Sequence, residues 1–261
     1  MVSSVRASSF AVHRFAEIDS TNDWLLAAAR DGALDRTAAV AEFQRRGRGR
    51  LDRRWEAPPG TALLCSVLLR VPLEAADRHL ASVAVSVSAL AAVRLVAPCE
   101  VGLKWPNDLV ARDRKLGGVL AETDGVSDAE GRTALVVGLG LNLTTSGPPD
   151  ADGTSLHDAT GTMPDRDELL DAYLDELSAR ADQLSSPAGR ASLVAVYRDD
   201  LVTLGRTVRV TLHDSVIEGT ATSITYEGHL VVTAHDGAHV VSAGDVVHLR
   251  PTHTEATSGR E

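Results

Sequence analysis

Six arginines and two glycines fall between Phe43 and Trp55 in FQRRGRGRLDRRW, with Asp52 the one acid among them. Guanidiniums are planar forks that match the oxygens of a phosphate or a carboxylate, and Gly47 and Gly49 let the backbone approach a ligand or visit positive φ. The segment therefore has the parts of an anion-binding loop. A solvated basic turn or a nucleic-acid tag could carry the same arginines. Neither would need the polar Gln44 that ends the strand-like TAAVAEF before it, or Trp55, which closes the window where an aromatic ring can stack on a flat ligand. Against a net charge of −10 for the whole chain the window is a local feature, and generic polyanion binding is disfavoured.

Further polar islands interrupt the apolar stretches: Ser20-Thr21-Asn22, Lys104-Trp105-Pro106-Asn107-Asp108, Lys115-Leu116-Gly117-Gly118, and Asn142 at the end of GLGLNL. Singly, each has an ordinary reading. Ser20 caps a helix, Lys104 ends a strand, Asn107-Asp108 turns the chain, and the paired glycines let strands pack closely. Together they are the parts for handling an ATP phosphate chain and a carboxylate: arginine forks, lysines near a glycine pair, and an Asn/Asp pair able to orient phosphate or a hydrated Mg²⁺. The chain has no GxxxxGK[ST] and no GxSxG, and its nine histidines lack metal-ligand spacing. What remains is nucleotide chemistry done by electrostatics and positioning, without a covalent enzyme nucleophile.

The elements that must position these groups are legible in outline. Strands are predicted at 37–43 and 61–70, joined by the arginine window and a Pro58-Pro59-Gly60 turn. A helix follows the Ser20 cap, with Asp23 placed for a capping box and Gly32 to end it; another spans 79–97 until Pro98. Further strands are predicted at 100–105, 116–123 and 133–143, with Pro106-Asn107-Asp108 turning out of the first and a charged turn at 111–115 before the second. Helices at 165–184 and 188–201 come next, the first with Leu169, Leu170, Tyr173, Leu174 and Leu177 as its core stripe. Beyond Gly205, TVRVTL, VIEGTATSIT, HLVVTA and HVVSAGDVVHL alternate strictly, with hairpin signals at Glu227-Gly228 and Asp236-Gly237, which predicts a small β-barrel. The expected division is 1–203, 204–250 and a disordered tail at 251–261. Cys65 and Cys99 neither staple a fold nor make a zinc site, so a reducing cytoplasm is the default. The longest uncharged apolar run, Leu80 to Val93, is shorter than the roughly 20 residues of a membrane span, and MVSSVRASSF has no apolar signal core.

Gln44 with GRGR (47–50) and Trp55, KWPNDL (104–109), KLGGVLAE (115–122) and GLGLNL (138–143), in this order, resemble a biotin–protein ligase, as do STN at 20–22 and TSLHDATG at 154–161. The resemblance covers nearly the whole chain. It implies an α+β protein: a catalytic domain similar to class II aminoacyl-tRNA synthetase cores, with a mixed sheet flanked by helices, followed by an SH3-like barrel. It also implies a reaction in which biotin and ATP, with Mg²⁺, give biotinyl-5′-AMP, and a lysine of a biotin carboxyl carrier domain then takes the biotinyl group. By resemblance Lys115 lies between the biotin carboxylate and the α-phosphate, and Arg48 and Arg50 sit in a loop that closes over the adenylate. Ser20, Thr21, Asn22 and Gln44 match biotin-binding positions, which Gly47, Gly49, Gly117 and Gly118 complete. Trp55 would stack near the adenine; Lys104, Asn107, Asp108 and Asn142 match positions near the nucleotide. No residue is assigned as a direct metal ligand. Where many relatives continue after GRGR with glycine and further basic residues, this chain has Leu51-Asp52, so loop closure and adenylate retention are the properties expected to differ.

Three other readings compete. A lipoate–protein ligase shares the fold and the adenylate logic, but KWPND and GRGR favour biotin. A noncatalytic nucleic-acid module is opposed by the acidic charge and by 3% aromatic residues. A biotin sensor without catalysis would not need Lys115 and the intact loop. The expected partner is a carrier protein, with no nucleic acid and no membrane, the chain being a monomer or weak homodimer. Only about twenty residues precede Ser20 and two average helices with a turn need ~25, so no repressor domain is expected.

Overall fold

The computed structural model describes residues 9–51, 53–147, 152–212 and 214–249, and the chain divides into two units after Leu201. Asp52 and the tail expected at 251–261 lie outside the described residues. The first unit runs β1 (Ala11–Phe15), α1 (Thr21–Arg30), β2 (Thr37–Ala41), β3 (Ala62–Val71), α2 (Leu80–Val96), β4 (Val101–Lys104), β5 (Asp108–Ala111), β6 (Arg114–Glu122), β7 (Thr133–Asn142), α3 (Leu156–Thr160), α4 (Arg166–Gln183) and α5 (Pro187–Asp199). The strands form one seven-stranded sheet in the order β1-β2-β3-β7-β6-β5-β4. β1 and β2 are parallel and every other neighbouring pair is antiparallel, so the sheet is mixed.

The near-continuous apolar runs lie in the middle of the sheet, where both faces are covered. All ten residues of β3 are buried, and β7 beside it is buried except at Gly138 and Gly140. On one face α1 sets Leu25 and Ala29 against Ala39, Leu68, Ala134 and Val136. α2 packs on β4, β6 and β7 and is in turn covered by α4 and α5. With the short turn before it, α2 is long and apolar enough to cross a membrane, yet most of it is buried within this unit.

Residues read as one charged turn at 111–115 are in fact divided between two strands. Ala111 ends β5, Arg114 and Lys115 begin β6, and only Arg112 (φ 49°) and Asp113 (φ 65°) make the turn. Two consecutive left-handed residues are what a two-residue hairpin of matching twist requires. Asp108 likewise starts β5 rather than belonging to a free turn. The edge strand β1 and the short helix α3 escaped the pattern, β1 because all but its last residue are exposed and show no alternation.

α1 is anchored from the sheet by a buried cation. Arg70 on β3 donates from Nη2 to Ala29 O (3.0 Å) and Ala33 O (3.0 Å) and from Nε to Ala33 O (3.1 Å), placing a guanidinium at the negative end of the helix. Replacing Arg70 with leucine is expected to destabilise the protein by about 2–3 kcal/mol, because carbonyls that held a charged donor are left buried. The readout is the urea midpoint at unchanged slope; a midpoint equal to the parent's would show that α1 needs no such anchor.

The second unit is an antiparallel sheet of β8 (Thr207–Thr211), β9 (Val216–Ile224), β10 (Leu230–Ala234), β11 (Gly237–Val241) and β12 (Asp245–His248), in the order β11-β10-β9-β8-β12. The alternation predicted its single buried face, made by Val208, Val210, Ala221, Leu230, Val232, Val241 and Val246. HVVSAGDVVHL, read as one stretch, is two strands at opposite ends of that order.

Candidate functional site

The N-terminus of α1 is built around a half-used capping box. Ser20 Oγ accepts the Asp23 backbone N–H (3.3 Å), but Asp23 Oδ1 accepts from Arg48 Nη2 (2.5 Å). Thr21 and Asn22 start the helix buried against the sheet. Gln44 Oε1 accepts the Thr21 N–H at 2.8 Å and lies 2.9 Å from its hydroxyl. Thr21 Oγ1 is 2.6 Å from Ser66 Oγ, which donates to Asn22 Oδ1 (2.5 Å), and Asn22 Nδ2 donates to Glu122 Oε2 (2.7 Å) and Leu120 O (3.3 Å).

The arginine window folds back as a small irregular hairpin: Arg48 bridges to Arg54, Gly49 N–H donates to Arg53 O (2.7 Å) and Trp55 N–H to Gly47 O (3.0 Å). Neither Gly47 nor Gly49 has a left-handed φ; Leu51 does, at 54°. What requires glycine at 47 is proximity, since a Cβ there would stand 2.3 Å from Trp55 O. The loop's cations are held by polar groups from distant elements, Arg48 by Asp23 and Glu122 (2.8 Å), and Arg50 by Asn107 Oδ1 (2.8 Å).

Beneath this loop the α1 face of the sheet is floored with glycine. Gly138 pairs with Ser66 and Gly140 with Gly118, and all three glycines are half-buried, which leaves a strip of the sheet without side chains, a shallow trough onto which Asn22 and Trp55 come down from α1 and the loop. A Cβ on Gly138 would meet Asn22 Oδ1 at 2.4 Å, and one on Gly140 would meet the Trp55 ring at 2.5 Å. Trp55 Nε1 is buried without a hydrogen-bond partner among the described residues. At the far end Lys115 Nζ lies 2.7 Å from Asp108 Oδ1, and a Cβ on Gly118 would be 3.5 Å from each of these atoms. Gly117 is buried against Gly140 O and Leu141.

The supports behind Lys115 are backbone and amide bonds. Its N–H donates to Asp152 O (3.1 Å) and its O accepts the Thr154 N–H (2.8 Å), while buried Asn142 donates from Nδ2 to Thr154 O (2.9 Å). Asn107 Nδ2 donates to Val119 O (2.7 Å), and Lys104 faces Asp108 across the β4–β5 hairpin. Tyr197 of α5 donates to Pro106 O (3.0 Å). Burial first, and the Asp108 charge second, push that phenol far above its ordinary pKa, so it stays a donor.

The expected site residues of α1, the arginine loop, β5, β6 and β7 thus come together around these glycines, with Asn142 behind Lys115 and Lys104 reached only through its pairing with Asp108. Three contributors were missed. Ser66 is hidden in the apolar run ALLCSVLLR, Asp23 was read only as a capping residue, and Glu122 ends KLGGVLAE without a role. A lone hydroxyl or carboxylate inside or at the end of a buried strand is the one signal that could have found them.

Comparisons with known proteins identify the relatives of this chain. The biotin/lipoate A/B protein ligase family matches residues 15–142, and the biotin protein ligase C terminal domain matches residues 203–249. A biotin--[acetyl-CoA-carboxylase] ligase of Mycobacterium tuberculosis is 39% identical over 242 residues, covering 90% of this chain and 88% of the relative. The bifunctional ligase/repressor BirA of Escherichia coli is 31% identical, covering 89% of this chain and 72% of its own length. Among solved structures, the biotin protein ligase from Aquifex aeolicus in complex with biotin and ATP superposes with a TM-score of 0.77 at 26% identity, covering 92% of this chain and 99% of that one. On these matches over nine-tenths of its length, the chain belongs to the biotin protein ligases of the biotin/lipoate A/B protein ligase family.

Proposed function

We propose that the protein joins biotin to ATP, giving biotinyl-5′-AMP and pyrophosphate, and then transfers the biotinyl group to a lysine of a biotin carboxyl carrier domain of an acyl-CoA carboxylase. The observation that carries this reading is the glycine-floored strip, with a hydrogen-bonding end at Asn22 and a cationic end at Lys115. An amide-rich ring system fits the first end, which offers Ser20, Thr21, Asn22 and Gln44. A carboxylate and a phosphate meet at the second. Two such anions repel by ~4 kcal/mol at ~4 Å and an effective dielectric of 20, so a cation between them is required.

Lys115 meets that requirement. Its ammonium has three donors and one is on Asp108, leaving two for a carboxylate oxygen and an α-phosphate oxygen. The carboxylate oxygen attacks the α-phosphorus and pyrophosphate leaves. The carrier amine then attacks the carbonyl carbon of the mixed anhydride, AMP leaves, and the amine gives up a proton as the amide forms. Arg48 and Arg50, on the loop beside the trough, shield the anhydride from water. The orphaned Trp55 Nε1 fits an acceptor on the nucleotide, and its ring a stacked base. Among the described residues no three His, Cys, Asp or Glu gather to hold a metal ion. Mg²⁺ carried on the ATP phosphates would supply charge neutralisation there. We place the reaction in the cytoplasm, where two unpaired cysteines stay reduced.

Incubating the protein with biotin, ATP and Mg²⁺, with and without an apo carrier domain, tests this by pyrophosphate release and carrier mass. One biotinyl group on one carrier lysine is expected. Modification only with lipoate and a lipoyl domain would move the protein to the lipoate side of the family, and no adenylate with either acid would refute the proposal.

A further inference from the structure

One carboxylate ties the arginine loop to the start of α1. Glu122 Oε2 accepts both from Asn22 Nδ2 (2.7 Å) and from Arg48 Nη2 (2.8 Å). Hydrogen accounting directs the bonds that lead to it. Gln44 Oε1 accepts from the Thr21 N–H and from the Thr21 hydroxyl; the one Ser66 hydroxyl hydrogen goes to Asn22 Oδ1, so at the 2.6 Å contact with Thr21 the Ser66 oxygen can only accept. With Oδ1 so engaged, the amide nitrogen of Asn22 faces two acceptors, Glu122 and Leu120 O, so its neighbours fix which way the amide points. The ring leaves the loop at Gln44, passes through α1, β3 and β6, and re-enters the loop at Arg48.

We infer that Glu122 is a positioning residue that sets the biotin end of the trough and the resting place of the arginine loop with a single charge. The inference rests on the ligase reading of the trough. Asp23 also holds Arg48, but its side chain is 53% exposed against 24% for Glu122, so water screens the Asp23 contact more. The two arms of Glu122 are separable. Glutamine at 122 keeps an acceptor for Asn22 and loses the charge that holds Arg48, whereas alanine removes both.

Limited trypsin digestion at the loop arginines, together with biotin kinetics, tests this on Glu122→Gln and Glu122→Ala in the full chain. For Glu122→Gln, loop cleavage is expected to quicken by about fivefold while the biotin KM rises about twofold or less. For Glu122→Ala, cleavage quickens at least as much, and the biotin KM rises by about tenfold with kcat for adenylate formation changed less. Urea midpoints separate this from a merely structural role, in which cleavage would follow global stability and KM would not move apart from kcat. Parent-like cleavage and biotin KM in Glu122→Ala would overturn the inference, as would a KM rise in Glu122→Gln equal to that in Glu122→Ala. If the parent makes no adenylate, the ligase reading itself fails. The digestion comparison without substrates then still decides whether Glu122 holds the loop.

Discussion

Lys115→Ala is expected to slow biotinyl-adenylate formation by about 10²–10³-fold, the usual loss when one preorganised charge facing the reacting atoms is removed. The substitution does more than delete a cation. Asp108, whose side chain is 21% exposed, loses its 2.7 Å partner and becomes an uncompensated anion where a carboxylate and a phosphate must converge. Part of the loss is therefore repulsion, and it should be recoverable. Lys115→Ala with Asp108→Asn is expected to form adenylate about tenfold faster than Lys115→Ala alone, although Asp108→Asn by itself slows the parent, an interaction of opposite sign that only neighbouring sites show. Single-turnover pyrophosphate release reads both. Adenylation in Lys115→Ala within about threefold of the parent would remove Lys115 from the reaction.

The parts of this site visible in the sequence were those that interrupt a pattern. Gly117, Gly118, Gly138 and Gly140 break apolar strands, Lys104 to Asp108 is a polar interruption at strand ends, and Gln44 to Trp55 lies between strands. Their convergence was not visible, because it is made by sheet order. β7 and β6 lie beside β3, which puts Ser66, Gly138 and Leu120 in one row across three strands far apart in the chain. The same applies to charge. Arg48 was legible as an anion-binding group, yet its partner Glu122 is 74 residues away, and no local period links them. The fold shows the same limit. The buried strands β3 and β7 have unbroken apolar runs to read, and the stripe of α4 and the alternation of β8 to β10 have a period. The exposed edge strand β1 and the four-residue β5 do not, since their strand state comes from pairing with β2 in one case and with β4 and β6 in the other. Gly47 was read for its conformational freedom and is used for close approach, a distinction only the position of Trp55 reveals.

Gly138→Ala and Gly140→Ala should divide the site in two. The positions are two apart on β7 and share a face, so the added methyl groups point into the same trough at different stations. At 138 the methyl would stand 2.4 Å from Asn22 Oδ1 and 3.2 Å from Cγ. Asn22 cannot swing aside cheaply, because Ser66, Leu120 and Glu122 hold its amide from three sides. At 140 the methyl would stand 2.5–2.9 Å from three atoms of the Trp55 indole, a rigid ring whose neighbouring backbone is bonded to Gly47. Gly138→Ala is accordingly expected to raise the biotin KM by about ten- to a hundredfold, the cost of breaking a buried hydrogen-bonded amide, with a much smaller change in the ATP KM. Gly140→Ala reverses the order, raising the ATP KM by about tenfold or more as the aromatic wall shifts, and sparing biotin. Each substitution serves as the other's control, since both add one methyl to the same strand and carry a similar stability cost. Equal rises in both constants for both variants would show that the trough is one undivided pocket and that Asn22 and Trp55 do not mark separate ends of it.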